Sequence, residues 1–149
     1  MRPCYIFDID GTLADLSHRL PHIQKSPKDW DAFFAACEDD EPIGHVCELA
    51  KNVFRAGPAV VFMSGRSDRV HSQTRRWLGK HIGLWAKVAP LYMRKDGDHR
   101  PDHLVKLELL NMVRDHGYAP IMAFDDRNQV VEMWRANGVP CAQVAPGDF

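Results

Sequence analysis

The chain lacks long apolar runs, paired cysteines and a large excess of charge of either sign. No apolar stretch approaches the roughly 20 residues that a membrane-spanning helix needs, and the N-terminus runs directly into a predicted strand, so neither a membrane segment nor a signal peptide is expected. The four cysteines are scattered and form no Cys-x-x-Cys pair, which argues against a zinc site or a disulfide framework and favours reduced thiols in the cytoplasm. The formal net charge of −1 is not that of a general nucleic-acid coat protein.

The composition is that of an ordinary soluble protein. With 149 residues, 45% of them hydrophobic and 26% charged, the chain suits one domain with a substantial core. Short apolar strands are predicted at residues 5–9, 59–63, 90–93, 121–124 and 139–144. Helical patterns lie between them, at residues 42–56, 68–81, 102–116 and 128–136. This alternation predicts an α/β fold of the Rossmann-like kind, in which helices cover both faces of a parallel sheet.

The segment from about residue 15 to residue 42 departs from this alternation. It holds three prolines, a short helical pattern and the acidic run of residues 38–41. Trp30, Phe33 and Phe34 have the spacing of one helix face, which predicts packing in the core, with stacking on a ligand as the alternative. We expect the segment to form a small, mainly helical cap over the strand ends. The acidic run is predicted to be a solvated turn and not a metal site.

Two acidic residues interrupt the first predicted strand near its C-terminal end. Asp8 and Asp10 follow Ile6 and Phe7, and a Gly-Thr pair comes after them. Ligands of α/β sheets bind beyond the carboxyl ends of strands, which is where this pair would lie. Two carboxylates in a poorly hydrated place repel each other unless a cation or a proton is present. The alternative is a pair of surface acids that caps the next turn.

Polar residues also follow two other predicted strands. Residues 64–66, Ser-Gly-Arg, come directly after one strand and Asp125 and Asp126 after another, while Lys106 lies about one turn into a helix. Parallel strands place such ends at one edge of the sheet. Each residue alone could be a helix cap or a solvated side chain, but together they suit a divalent cation and an anionic substrate. Oxygen ligands without His or Cys favour Mg²⁺ over zinc, and the set indicates phosphoryl transfer through an aspartyl-phosphate.

The order of these residues resembles the four motifs of the haloacid dehalogenase-type phosphohydrolases. The motifs are the DIDGT of residues 8–12, Ser64, Lys106 and the Asp125-Asp126 pair, and the first of them is highly specific. The FDDRNQVVEMWR of residues 124–135 and the QVAPGDF ending also resemble the phosphatase domain of bacteriophage polynucleotide kinase-phosphatase. The likeness covers nearly the whole chain and is weakest in the predicted cap.

The resemblance implies a role for each residue of the motifs. Asp8 would be the nucleophile and Asp10 the general acid and base. The implied Mg²⁺ ligands are the Asp8 carboxylate, the Asp10 backbone carbonyl, and the Asp125 and Asp126 carboxylates, the last directly or through water. Ser64, Lys106 and the backbone N–H groups around Gly65 would bind the phosphoryl group.

The resemblance also marks Arg19, Arg66 and Asp102 as important for phosphatase activity. Arg19 could contact the phosphate or sugar of the substrate, and Arg66 could make a forked contact to phosphate. Asp102 lies one helical turn before Lys106 and could orient its ammonium group. Structural salt bridges are the alternative for all three residues.

The implied function is that of a Mg²⁺-dependent polynucleotide 3′-phosphatase. Its substrates would be 3′-phosphorylated ends of DNA or RNA and nucleoside 3′-monophosphates, with terminal 2′,3′-cyclic phosphates as a further candidate. The many Lys and Arg residues between residues 66 and 100 suit a nucleic-acid end, or equally a solvated helix face. No P-loop is present, so we expect no kinase domain and no kinase activity from this chain. The expected location is the cytoplasm, that of the host if the chain is phage-encoded.

Three other functions compete with this one. A small-molecule nucleotidase that acts on 5′-mononucleotides would use the same chemistry. A receiver-type signalling domain would also use acids, a hydroxyl residue and a lysine, but its phosphorylated Asp comes later in the chain than Asp8. A catalytically inactive nucleic-acid-binding module would not need the complete acidic set.

Overall fold

The computed structural model describes residues 1–149 and contains seven strands and seven α-helices. The strands are β1 (Arg2–Asp8), β2 (Ala14–Asp15), β3 (Glu41–Pro42), β4 (Ala59–Ser67), β5 (Leu91–Arg94), β6 (Tyr118–Asp125) and β7 (Cys141–Gln143). The helices are α1 (Pro21–Gln24), α2 (Trp30–Ala35), α3 (Gly44–Ala56), α4 (His71–His81), α5 (Leu84–Val88), α6 (Asp102–Asp115) and α7 (Asn128–Ala136). Short 3₁₀ helices occupy Ser17–Arg19, Ala36–Asp39 and Asp68–Val70. None of the helices combines the length and the apolar character that crossing a membrane requires.

Five of the strands form one parallel sheet in the order β5-β4-β1-β6-β7. The central strand β1 pairs in parallel with β4 on one side and with β6 on the other. The outer strands β5 and β7 are also parallel to their neighbours. Parallel neighbours need crossover connections, and helices provide these between the strands of the sheet. The predicted α/β fold with a parallel sheet is therefore confirmed, and the strand that carries Asp8 lies at its centre.

Alternate residues of β1 pack against opposite layers of helices. Cys4 and Ile6 belong to a core cluster with side chains of α6 and α7. Phe7 belongs to a second cluster with side chains of α3, α4 and α5. This pattern follows from the two-residue period of a strand. Because helices cover both faces, the central strands consist mainly of apolar residues up to the point where the polar ends begin.

The bounds of all five sheet strands differ from the predicted ones by up to four residues, and two of these differences lie next to site residues. Strand β1 ends at Asp8, and Asp10 lies in a turn in which the N–H groups of residues 12, 13 and 14 all donate to the Ile9 carbonyl. Strand β4 continues to Ser67, so that Ser64, Gly65 and Arg66 lie within the strand and not after it. The reason for this extension is the pairing with β5, which resumes at Ser67 opposite Arg94 after an irregularity.

Residues 16–40, which we call the cap segment, lie between β2 and β3. These two short strands pair in antiparallel fashion and close the base of the segment. The cap segment is held to α4 by ion pairs of Glu38 with Arg76 and by a hydrogen bond from Trp77 Nε1 to the Asp40 carbonyl, at 2.8 Å. It is mainly helical, as predicted. The division of the chain into a single domain with a cap insert and no kinase domain stays a prediction.

Candidate active site

The polar ends of three neighbouring strands meet above the middle of the sheet. The register places Asp8 of β1 beside Met63 of β4, one residue before Ser64. On the other side Phe7 is paired with Phe124 of β6, one residue before Asp125. A cavity of about 520 Å³ opens at this edge. Eight of the ten predicted site residues line it, namely Asp8, Asp10, Gly65, Arg66, Asp102, Lys106, Asp125 and Asp126.

Asp8 is held from two sides at the floor of this cavity. Its Oδ1 accepts a hydrogen bond from Lys106 Nζ at 2.8 Å, and its Oδ2 accepts one from Thr12 Oγ1 at 2.8 Å. Lys106 Nζ also donates to Asp125 Oδ2 at 2.9 Å. Burial opposes the charge on Lys106, but the carboxylates of Asp125 and Asp8 outweigh it and hold the pKa of Lys106 well above its ordinary value. Lys106 is therefore an ammonium ion that points at the proposed nucleophile.

Asp8, Asp125 and Asp126 form a buried carboxylate cluster. Each offers an oxygen, and these three atoms lie within 4.8 Å of one another. Burial, followed by the charge of Asp125, raises the pKa of Asp8 well above its ordinary value and that of Asp126 to about 6. Three buried carboxyl groups face one lysine here, so ionising all three leaves an excess of negative charge, which the raised pKa values of Asp8 and Asp126 reflect and which a divalent cation can compensate. Because all the ligand atoms are oxygens, the cluster fits Mg²⁺.

Gly11 allows Asp126 to approach the turn that follows Asp10. Its φ of +80° lies in the left-handed region, which residues with a side chain rarely adopt. A Cβ at this position would overlap the Asp126 carboxylate. The Gly of the DIDGT motif therefore serves both the turn and the acidic cluster.

Asp10 is bound by two arginines from different parts of the chain. Its Oδ1 accepts hydrogen bonds from Arg66 Nε at 2.9 Å and Nη2 at 2.6 Å, and from Arg19 Nη2 at 2.8 Å. Loss of solvent alone would raise the pKa of Asp10, but the charges of Arg66 and Arg19 outweigh this effect and lower it. Asp10 is thus a carboxylate in this structure. Arg66 makes a forked contact to Asp10 Oδ1, and its predicted contact to phosphate stays a prediction.

Asp40 completes this network, and sequence reasoning missed it. The prediction of a solvated acidic turn is wrong for this residue, which is 2% exposed. Its Oδ1 accepts from Arg19 Nε at 2.8 Å and its Oδ2 from Arg66 Nη2 at 3.0 Å. Asp40 directly follows the 3₁₀ helix Ala36–Asp39, and no local sequence pattern separates it from the other acids of the run.

Arg19 is fully buried and does not reach the cavity surface. Two of its nitrogens bind Asp40 and Asp10, and Nη1 is buried without a hydrogen-bond partner. Arg19 therefore forms the salt bridges that were the alternative prediction for it. A contact between Arg19 and the substrate stays a prediction.

Replacing Asp40 by Asn should lower both stability and activity. Removal of one partner of a buried ion pair costs about 3 kcal/mol, because two guanidinium groups are left with Asp10 alone. If Arg66 and Asp10 shift by about 1 Å, turnover falls on the order of 10²-fold. Thermal unfolding and kcat, measured at a temperature where the variant is folded, test both effects. Asp39→Asn is the matched control, because Asp39 is an exposed acid of the same run; equal effects of the two changes would contradict this role.

The remaining predicted residues are Ser64 of β4, which does not line the cavity, and Asp102 of α6, which does. Ser64 is buried, and its Oγ accepts a hydrogen bond from Arg66 N–H at 3.1 Å. Asp102 Oδ2 lies 3.8 Å from Lys106 Nζ, too far for a direct hydrogen bond, while Asp102 Oδ1 accepts from Arg94 Nη2 at 3.3 Å. A Cβ at Gly65 would overlap Asp102 Oδ1, so the glycine is what allows Asp102 to lie against β4.

The three aromatic residues of the cap segment have different surroundings. Phe33 is 6% exposed, as the core prediction requires. Trp30 is 47% exposed, and all three residues line the cavity, Phe33 with only its small exposed part. The prediction of core packing is thus confirmed for Phe33 and wrong for Trp30.

Known proteins identify the family of this chain. A family model of the polynucleotide kinase PNKP phosphatase domain, of the haloacid dehalogenase type, matches residues 2–149. The chain belongs to this family. It is 37% identical over 134 residues to a protein of Autographa californica nuclear polyhedrosis virus that is named as a bifunctional polynucleotide kinase/RNA ligase. This PNKP-type chain is therefore a phosphatase domain, that is, a phosphoric monoester hydrolase.

Solved structures agree with the family. A chain of the Pnkp1/Rnl/Hen1 complex is 32% identical and superimposes on the whole of this chain with a TM-score of 0.83. The class C acid phosphatase of Bacillus anthracis, at 15% identity and a TM-score of 0.67, shares the fold over 97% of this chain and 68% of its own. The PNKP-type chain spans 18% of the viral protein and 48% of the chain in the Pnkp1 complex, so it corresponds to only a part of each of these relatives.

Proposed function

We propose that this chain removes the 3′-phosphate from nucleic-acid ends and from nucleoside 3′-monophosphates, with Mg²⁺ as its cofactor. The observation that carries the proposal is the position of Asp8, which lies at the floor of an open cavity in contact with Lys106 and within the carboxylate cluster. The family is named for a polynucleotide enzyme, and one related structure is that of an RNA repair complex. The four free cysteines are buried, which fits a reducing cytoplasm.

In the first step a carboxylate oxygen of Asp8 attacks the phosphorus atom. The new bond joins Asp8 to phosphorus, and the bond between phosphorus and the 3′-oxygen breaks. The leaving oxygen takes a proton from Asp10, which must therefore be protonated at this stage. Lys106, Ser64 and the N–H groups near Gly65 hold the phosphoryl oxygens and keep the negative charges apart.

In the second step water attacks the phosphorus atom of the aspartyl-phosphate. Asp10 accepts a proton from this water, the bond to Asp8 breaks, and inorganic phosphate leaves. The two arginines that stabilise the Asp10 carboxylate suit this step, in which Asp10 begins as a base. Mg²⁺ held by Asp8, the Asp10 carbonyl, Asp125 and Asp126 would supply the positive charge that the phosphoryl oxygens need.

Magnesium should stabilise the folded protein, because it compensates the charge of the carboxylate cluster. At a concentration about 100 times its Kd a ligand adds about 2.7 kcal/mol, which raises the Tm of a chain of this size by roughly 5–10 °C. The measurement is a thermal melt with Mg²⁺, and again after a chelator is added. The control is Asp125→Asn, which should lose most of the shift; an equal shift in that variant would rule out this site.

A substrate panel tests the function itself. The enzyme is given a 3′-phosphorylated oligonucleotide, a nucleoside 3′-monophosphate and a 5′-mononucleotide, and the release of phosphate is followed over many turnovers. We expect the highest kcat/KM on the 3′-phosphates, and loss of activity with chelator. Preference for the 5′-mononucleotide would instead identify the small-molecule nucleotidase. A single turnover without further release of phosphate would indicate a receiver-type domain.

A further inference from the structure

The cap segment presents an exposed aromatic surface to the active-site cavity. Trp30 and Phe34, one turn apart on α2, have ring centroids 5.9 Å apart and an angle of 28° between their planes. Both line the cavity whose floor holds Asp8. Burying the 47% of Trp30 that remains exposed would be favourable. A ligand in the cavity can provide that burial, because Trp30 lines it.

Phe33 and Arg19 support this pair from below. Phe33 contacts Trp30 edge-on, with centroids 5.7 Å apart and planes at 90°, and it contacts Phe34 at 5.6 Å. The Arg19 guanidinium lies 4.4 Å from the centroid of Phe33 on the side of the Asp10 network. The aromatic pair therefore rests on the residues that position Asp10, which gives it a defined place relative to the reacting atoms.

Positive charges surround the aromatic pair. Lys28 Nζ lies 5.8 Å from the centroid of Trp30, and Arg69 lies 5.5 Å from that of Phe34. Arg94 and Arg100 line the same cavity. Arg69 is also paired with Asp31, and Arg100 is paired with Asp98 and Glu108. A ligand that matches these surroundings has a flat π-face and carries negative charge close by, which describes a nucleobase attached to its phosphodiester backbone.

We propose that Trp30 and Phe34 stack on the nucleobase of the nucleotide that carries the 3′-phosphate. This inference rests on the proposed function and adds to it the part of the substrate that the cap segment recognises. Stacking tolerates any base, because every base has a π-face. The enzyme should therefore act on ends of any sequence but discriminate against an end that lacks the base.

The test compares two oligonucleotides that both carry a 3′-phosphate. One has an ordinary terminal nucleotide, and the other has an abasic tetrahydrofuran residue in its place. The wild-type enzyme should prefer the first by about 10-fold to 100-fold in kcat/KM, the range expected for one stacked base. Trp30→Ala should bring this ratio close to one, mainly through KM, whereas Trp30→Phe should keep most of it. Because the ratio compares two substrates on one variant, a general loss of activity cancels.

Phe54→Ala is the matched control. Phe54 is 43% exposed, close to Trp30 in this respect, but it lies on α3 and does not line the cavity, so the ratio should stay at its wild-type value. Phe149, an aromatic residue of the cavity outside the cap segment, is tested by Phe149→Ala. If that change removes the base preference and Trp30→Ala does not, the assignment to the cap segment is overturned.

The outcomes separate this inference from the function on which it rests. Release of phosphate from both ends with a wild-type ratio near one would overturn the stacking site and leave the 3′-phosphatase intact. No release from either end, together with hydrolysis of another phosphate monoester, would overturn the proposed function and the stacking site together. If the wild-type enzyme prefers the end that has a base and Trp30→Ala removes this preference, the result supports both the proposed function and the stacking site.

Discussion

Asp8→Asn should reduce phosphatase turnover by at least about 10³-fold, because an amide cannot form the aspartyl-phosphate. The change keeps the size of the side chain, and the amide oxygen can still accept a hydrogen bond from Lys106. It also removes one of three carboxylates that burial and mutual repulsion disfavour, as the raised pKa of Asp8 indicates. Stability in metal-free buffer should therefore be equal to that of the wild type or higher.

Two measurements on one preparation test this expectation. Steady-state release of phosphate gives the activity, and a thermal melt in the presence of chelator gives the stability. Asp115→Asn makes the same chemical change on an exposed residue at the end of α6 and should leave activity unaltered. Substantial phosphatase activity in Asp8→Asn would remove Asp8 from the role of nucleophile. A large fall in Tm would show that loss of activity in this variant reflects unfolding.

Asp10→Asn should slow the hydrolysis of an ordinary phosphate monoester by about 10²-fold to 10⁴-fold, the usual contribution of a general acid and base. The amide oxygen can still accept the hydrogen bonds from Arg19 and Arg66 that hold this side chain in place. Binding of phosphate should therefore be largely intact. The loss falls on kcat, because the missing group acts on protons and does not bind the substrate.

A substrate with a good leaving group separates the two tasks of Asp10. The substrate is p-nitrophenyl phosphate, whose leaving group, p-nitrophenolate, needs no proton. Asp10→Asn should therefore still form the aspartyl-phosphate from it but should hydrolyse this intermediate slowly. Stopped-flow absorbance should then show a burst of about one p-nitrophenolate per active site, followed by a slow phase. Asp8→Asn is the control and should give no burst. A wild-type steady-state rate in Asp10→Asn would contradict the acid and base assignment.

The sheet and the place of the site could be predicted because they depend on local patterns. Runs of apolar residues mark strands that are buried on both faces, and alternation with helices forces the strands to be parallel. Parallel strands have their carboxyl ends on one side, so Asp8, Ser64 and Asp125 had to meet. The exact end of β1 was missed, because the turn after Asp8 is stabilised by backbone hydrogen bonds to Ile9 that leave no mark on the apolar pattern.

The partners of the arginines could not be predicted in the same way. Arg66 makes a forked contact to Asp10, and a second carboxylate, that of Asp40, binds both Arg66 and Arg19. Residues 19, 40 and 66 lie on three separate segments of the chain. A guanidinium in a crowded site binds whichever acid the packing brings within reach, and composition or periodicity does not specify which one that is.

By itself, the sequence determined the order of the five sheet strands and of the long helices between them, the family and the identity of the residues at the strand ends, because these follow from local residue patterns and from motifs that are read in order. Only the tertiary structure decided that Asp40 is buried between two arginines, that Gly11 and Gly65 admit the carboxylates of Asp126 and Asp102, and that Trp30 faces the cavity. Each of these depends on how the cap segment and the sheet edge pack together. Such packing depends on contacts between residues that are distant in the chain, and local sequence patterns do not specify these contacts.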